Sequence, residues 1–222
     1  MKLFEPLHLG NMHLANRIVM APLTRSRADA KTNAPGILQA TYYGQRASAG
    51  LIIAEGTSPS PNGVGYPRIP GIYSQAQIDG WRQVAESVHD SGGNIFVQLM
   101  HCGRVAHEAN LPQGAEVIAP SSVELPGEMY TDAYGLQPHT PARAMTLEDI
   151  RSTAQEYVQA ARNAVEAGCD GVEIHAANGY LLEQFIHPHT NRRDDDYGGS
   201  IEKRCRFVLE VVKECCNAIG KE

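Results

Sequence analysis

At 222 residues the chain is long enough for one large domain or two small ones. Apolar residues make up 42% and charged residues 20%, an ordinary globular balance that excludes fibrous and disordered classes. The formal net charge of −6 argues against nucleic acid and against an anionic membrane surface as partners. The five cysteines, Cys102, Cys169, Cys205, Cys215 and Cys216, are odd in number and lack paired-ligand spacing, which suits reduced thiols better than a disulfide framework. "MKLFEPLHLG" at the start lacks the apolar core of a signal peptide, and no apolar run reaches membrane-spanning length. A cytoplasmic location is the resulting expectation.

In chain order, "PLHLGNMHL" predicts a small β-hairpin turning at Gly10-Asn11. "NRIVMAPLT" (16–24) reads as a strand and "QATYYGQRAS" (39–48) as a weak helix. "GLIIAEGT" (50–57) is the second strand. Ser74 and Gln77 then make a capping box ahead of Ile78, Trp81, Val84, Ala85 and Val88 at helical spacing, with Gly92-Gly93 as the stop. "NIFVQLMHCG" (94–103) is the third strand. A connection over 104–143 follows, holding Pro112, Pro120, Pro126, Pro138 and Pro141, and its length marks it as a loop or lid. Thr146 and Asp149 open the next helix, which Gly168 stops. "GVEIHAAN" (171–178) is the fourth strand, and Ser200 opens a helix ending at Gly220. The order βαβαβαβα belongs to the α/β class, with strands buried on both faces of a parallel sheet.

Polar residues gather behind the strand ends, at Thr24, Glu55, Gln98, His101, His175 and Asn178, where (β/α) folds build their sites. Alternation puts Ile95, Val97, Leu99, Val172 and Ile174 on the helix-covered face. It puts Phe96, Gln98, Met100, Glu173 and His175 on the other, the interior or mouth of a barrel. In "GVEIHAANGYLLEQF" (171–185), His175 and Asn178 can donate to one oxygen and Tyr180 can supply a proton. The plainer reading makes His175 a satisfied strand-end residue, Asn178 an N-cap and Tyr180 packing, and on spacing alone it holds a slight edge.

"HAANGYLLEQF" with "NRRDDDYGGSIEKR" resembles the old yellow enzyme family of flavin-dependent ene reductases. So do "NRIVMAPLTRSRA", "YYGQRAS", "LIIAEGT", "PGIY" and "VQLMHCGR", in the family's order across the chain. The resemblance implies a TIM (β/α)8-barrel that holds FMN at the strand C-termini. It also implies an oxidoreductase cycle in which NAD(P)H reduces the flavin and hydride passes to an activated alkene, the C=C bond of an α,β-unsaturated carbonyl. His175 and Asn178 would hold the substrate carbonyl oxygen, Tyr180 would protonate the α-carbon, and Tyr66 would sit at the substrate mouth. Pro22, Leu23, Thr24, Gly56, Gln98 and His175 would contact the flavin.

A closed barrel has eight βα units and about 250 residues, whereas four units are countable here. The expectation is a single truncated, partial barrel over residues 1–222, with the hairpin at 1–15 and the lid at 104–143. In the family the flavin phosphate is anchored near the last two strands, beyond these units. An alternative is therefore a non-catalytic half-barrel, closed by a homodimer partner or a complementing fragment. Lys203 stands where the family often has Asn. Metal sites are not expected: His101-Cys102, "HPHT" and Asp194–Asp196 lack further ligands at short spacing, which leaves a metal-dependent hydrolase built on His101, His175 and Glu173 a weak competitor.

Overall fold

A computed structural model describes residues 1–221 of the chain. β1 (Leu7–Leu9) and β2 (Met12–Leu14) pair antiparallel with Leu9 opposite Met12, and Gly10 makes the turn at φ 57°. β3 (Val19–Met20) leads to α1 (Ile37–Gly44), then β4 (Leu51–Thr57), α2 (Gln75–Asp90) and β5 (Ile95–Leu99). Four short strands follow: β6 (Ile118–Ala119), β7 (Glu128–Thr131), β8 (Gly135–Pro138) and β9 (Arg143–Ala144). α3 (Leu147–Glu166), β10 (Gly171–Ile174), α4 (Leu181–Ile186) and α5 (Ile201–Ile219) come next.

The helices start where side chains satisfy their first N–H groups. Thr146 N–H donates to Asp149 at 2.7 Å and Asp149 N–H returns a bond to Thr146 Oγ1 at 3.1 Å, a reciprocal cap for α3. At α2, Gln77 Oε1 accepts from the N–H groups of Tyr73 and Ser74. The Ser200 hydroxyl accepts from Lys203 N–H to open α5.

Four strands form one parallel sheet in the order β10-β5-β4-β3. Its two faces follow the period-two alternation. Ile52, Ala54, Ile95, Val97 and Leu99 pack under the helices with Trp81, Val84, Val88, Tyr157 and Phe207, all nearly inaccessible. Each large side chain so buried contributes roughly 1.5–3 kcal/mol. On the other face Leu51, Ile53 and Phe96 close on Leu7, Met12 and Leu14, so the hairpin plugs the N-terminal ends of the strands. The polar residues are left at the opposite, C-terminal ends.

The register of β4 slips. Ile53 pairs with Phe96 but Gly56 pairs with Gln98, so β4 uses one residue more than β5. Glu55 lies in this bulge, fully buried, and its carboxylate accepts from Arg25 N–H at 3.0 Å and from Tyr43 O–H at 3.2 Å. Burial raises the Glu55 pKa, and these two bonds work against the rise.

The strand expected over 16–24 is only two residues long. It is a sheet edge with Val19 51% exposed, and beyond Met20 the backbone leaves the ladder to be held by Glu55 instead. The segment 104–143 is more ordered than a plain loop: β6 pairs with β9, and β7 pairs with β8 around the Gly135 turn at φ 69°. Polar, proline-broken segments this short carry too little periodicity to be recognised as strands. Arg104 Nη1 donates to the carbonyls of Val123 and Glu124 at 3.1 Å, folding this excursion back over the end of β5.

Among the described residues β3 and β10 each have a neighbouring strand on one side only. Beside β10 an open groove of about 360 Å³ is lined by Phe96, Val172, Ile174, Val212 and Ile219 among others. Among the described residues no helix is long and apolar enough to cross a membrane.

Candidate active site

Gly56, Gln98 and Glu173 form a row across the C-terminal part of three adjacent strands. Gln98 Nε2 donates to Glu173 Oε1 at 2.7 Å, so the two side chains occupy the same non-helical face. A Cβ on Gly56 would stand 2.6 Å from Met100 Cε, and the row stays flat because glycine has none. His175 extends the row by one step, its N–H donating to Leu99 O at 3.0 Å.

The His175 ring is fixed in one protonation pattern. Its Nδ1 accepts from Ala177 N–H at 3.2 Å, which requires Nδ1 to be bare and leaves the proton on Nε2. Burial lowers the His175 pKa, opposed by the charges of Glu173 and Glu183. The ring is therefore a neutral imidazole near neutral pH, with Nε2–H available to donate.

Two consecutive left-handed residues, Asn178 at φ 57° and Gly179 at φ 80°, turn the chain from β10 into α4. Asn tolerates this region because its short amide bonds locally. The N-cap of α4 is Tyr180 rather than Asn178, so Asn178 is exposed and free of the capping role that the plainer reading gave it. Tyr180 packs edge-on against His175, with ring centroids 5.0 Å apart. Its hydroxyl lies 3.1 Å from that of Tyr66, a residue 114 positions away in sequence. The structure thus joins His175, Tyr180 and Tyr66 in one line of contacts.

Pro22, Leu23 and Thr24 follow β3 and are exposed or half-exposed, two strands away from Gln98 and three from His175. At about 4.8 Å per strand that is a span of about 14 Å. The surface between them is the C-terminal rim of the sheet.

Gln184 was not singled out by the sequence. It is 1% exposed and binds two loops at once: Nε2 donates to Cys102 O at 3.1 Å and Gly179 O at 2.7 Å, and Oε1 accepts from Arg104 N–H at 3.2 Å. Its only signal was a polar side chain between Leu182 and Phe185 on a buried helix face. Gly103, at φ 60°, leaves room for it. His101 is 1% exposed, and burial lowers its pKa to about 3. Among the described residues no three His, Cys, Asp or Glu side chains converge to hold a metal ion. Asp195 instead pairs with Arg193, whose Nη1 donates to Pro120 O and Met145 O and ties the 104–143 excursion to this loop.

The residues present suit the ring of a flavin. Gln98 supplies an amide, Thr24 a hydroxyl and His175 an imidazole at one rim, and Gly56 keeps the backbone accessible between them. The profile of the NADH:flavin oxidoreductase / NADH oxidase family matches residues 2–222. A probable flavin mononucleotide-dependent alkene reductase of Leishmania infantum is 43% identical over 99% of this chain and 61% of its own length. 12-Oxophytodienoate reductase 7 of Oryza sativa subsp. japonica is 43% identical over 99% of this chain and 56% of its own length. The solved old yellow enzyme homologue of Zymomonas mobilis superposes with a TM-score of 0.94 at 45% identity, over 99% of this chain and 61% of its own. Morphinone reductase does so at 0.92 and 49% identity, over 98% and 59%. The chain therefore spans about 60% of the length of the relatives it matches, and its four-stranded sheet corresponds to part of their barrel. By sequence and by fold, the chain belongs to the NADH:flavin oxidoreductase / NADH oxidase family, the family of the old yellow enzymes.

Proposed function

We propose that this chain forms the substrate-facing part of an FMN-dependent oxidoreductase that reduces the C=C bond of α,β-unsaturated carbonyls with NAD(P)H. The observation that carries the reading is the pairing of a neutral His175, its Nε2–H free to donate, with the Tyr180 ring 5.0 Å away at the mouth of the sheet. Hydride chemistry between NAD(P)H and the alkene β-carbon would be supplied by a bound FMN. Pro22, Leu23, Thr24, Gly56 and Gln98 would hold its ring.

His175 Nε2–H and the exposed Asn178 amide bind the substrate carbonyl oxygen. As negative charge grows on that oxygen the two bonds strengthen, and one such donor lowers the barrier by about 3 kcal/mol. Tyr180 O–H supplies the proton to the α-carbon. Tyr66 stands beside it at the entrance.

FMN titration of the purified chain, followed by flavin fluorescence, tests the reading, with binding at micromolar concentrations as the expected result. Tyr180→Phe should then slow alkene reduction by about 10²–10⁴-fold and leave flavin reduction by NAD(P)H unchanged in stopped-flow. Equal loss in both half-reactions would rule out Tyr180 as the acid. Failure to bind flavin would favour a non-catalytic half-barrel.

A further inference from the structure

We propose that Tyr66 is a positioning residue for Tyr180: its hydroxyl donates to the Tyr180 oxygen and holds the phenolate left when Tyr180 gives up its proton. The proposal rests on the alkene-reductase reading above and adds to it the group that makes Tyr180 an effective acid.

The geometry is built rather than incidental. The two hydroxyl oxygens are 3.1 Å apart, and the rings meet edge to face at 86°. Both rings pack on an apolar floor of Val64, Ile69, Met100 and Cys102, each 2% exposed or less. Both backbones are pinned. Gly65 O accepts from Asn110 Nδ2 at 3.1 Å, and a Cβ on Gly65 would lie 2.5 Å from Val105 O, so the segment carrying Tyr66 is tightly seated. Tyr180 O accepts from Gln184 N–H at 2.8 Å.

With both hydroxyls protonated, either can donate. Proton transfer removes that ambiguity. The Tyr180 O–H bond breaks, a C–H bond forms at the substrate α-carbon, and the electron pair stays on the Tyr180 oxygen. The one hydrogen left between the two oxygens is then on Tyr66, which must be the donor. The hydride that completes the reduction comes from the reduced flavin, and solvent later restores the Tyr180 proton.

Burial raises the pKa of both tyrosines, and the bond between their hydroxyls couples the two. The other titratable groups facing the pair are His175, held neutral, and Cys102, whose thiol is pushed up to about 12 by burial. Neither brings a competing charge at neutral pH.

The test places 3,5-difluorotyrosine, which ionises near neutral pH, at position 180 of the full chain and follows its absorbance against pH. In the Tyr66→Phe background the midpoint should rise by about one unit. An unchanged or lower midpoint overturns the proposal. So does an equal rise with Tyr73→Phe, a tyrosine packed on the same floor without a bond to Tyr180. Should Tyr66→Phe not fold, the label at position 66 in the otherwise unaltered chain must ionise at higher pH than at 180, and the reverse order overturns the assignment. In turnover, Tyr66→Phe should lower the alkene half-reaction roughly tenfold and spare the NAD(P)H half-reaction. A midpoint shift in a chain that reduces no alkene would leave the pair standing and remove the reductase reading.

Discussion

Replacing His101 with Asn tests how deeply the turn after β5 is buried. The imidazole is 1% exposed, its Nδ1 accepts from Gly103 N–H at 3.1 Å, and its Nε2 has no protein partner. Burial moves its pKa from 6.5 to about 3. Below pH ~6.5 the unfolded chain therefore binds a proton that the native chain refuses. His101 costs no stability above that pH, and the native state loses about 1.4 kcal/mol per pH unit until about pH 3. Between pH 6.5 and 5 the loss is about 2 kcal/mol, a large share of a typical total of about 5–15 kcal/mol. His101→Asn keeps an acceptor for Gly103 N–H and removes the titration. Urea unfolding of both proteins at several pH values reads the difference. Buried Glu55 works in the opposite direction, because its raised pKa favours the protonated native state, but its contribution is common to both proteins and cancels. The expected result is a wild-type curve that falls about 2 kcal/mol further than the variant curve by pH 5. Parallel curves, or a His101 ring that titrates near pH 6.5 in the folded protein, would refute the reasoning.

Gln184→Met removes one acceptor and two donations at a site with no water access, and at about 1 kcal/mol per neutral bond the loss should be near 3 kcal/mol in urea unfolding at pH 7. A loss under about 1 kcal/mol would show that the two loops are held by something else. Asp149 is kept well below the usual carboxylate range, first by the Arg143 guanidinium and then by the Thr146 cap, while burial opposes both. A depressed acid adds stability above its unfolded pKa of about 3.9 and loses it as the pH falls below that value. Arg143 is 43% exposed, so the ion pair is largely screened and the cap bond dominates. Asp149→Asn should cost about 1 kcal/mol at pH 7 and flatten the acid limb of the thermal unfolding curve below pH ~4. An unchanged acid limb would contradict the assignment.

Elements with strong periodicity were readable in advance. Trp81, Val84 and Val88 on α2, and the alternation through β5 and β10, follow from the 3.6- and 2-residue repeats together with burial on one face. The caps at Thr146 and Ser200 were readable because their bonds span only three residues. The β7–β8 hairpin was not, since one of its faces is exposed and Tyr130, Tyr134 and Leu136 point away from any core. The bulge at Glu55 was also hidden, because a register slip depends on the facing strand.

The sequence alone determined the order of the four parallel strands and of the helices α1, α2, α3 and α5 that alternate with them, the placing of polar residues behind strand ends, and the motif series that identifies the family. These depend on local bonding, on side-chain period and on residue identity, all of which are present in the linear chain. Tertiary structure decided the rest: the bare Nδ1 of His175, the left-handed Asn178 beside it, the Gln184 bonds that join the 101–104 and 179–184 turns, and the contact of Tyr66 with Tyr180. Residues 114 positions apart meet only because the parallel sheet brings the ends of β4 and β10 to the same rim, where position in the sheet rather than in the chain sets which groups touch.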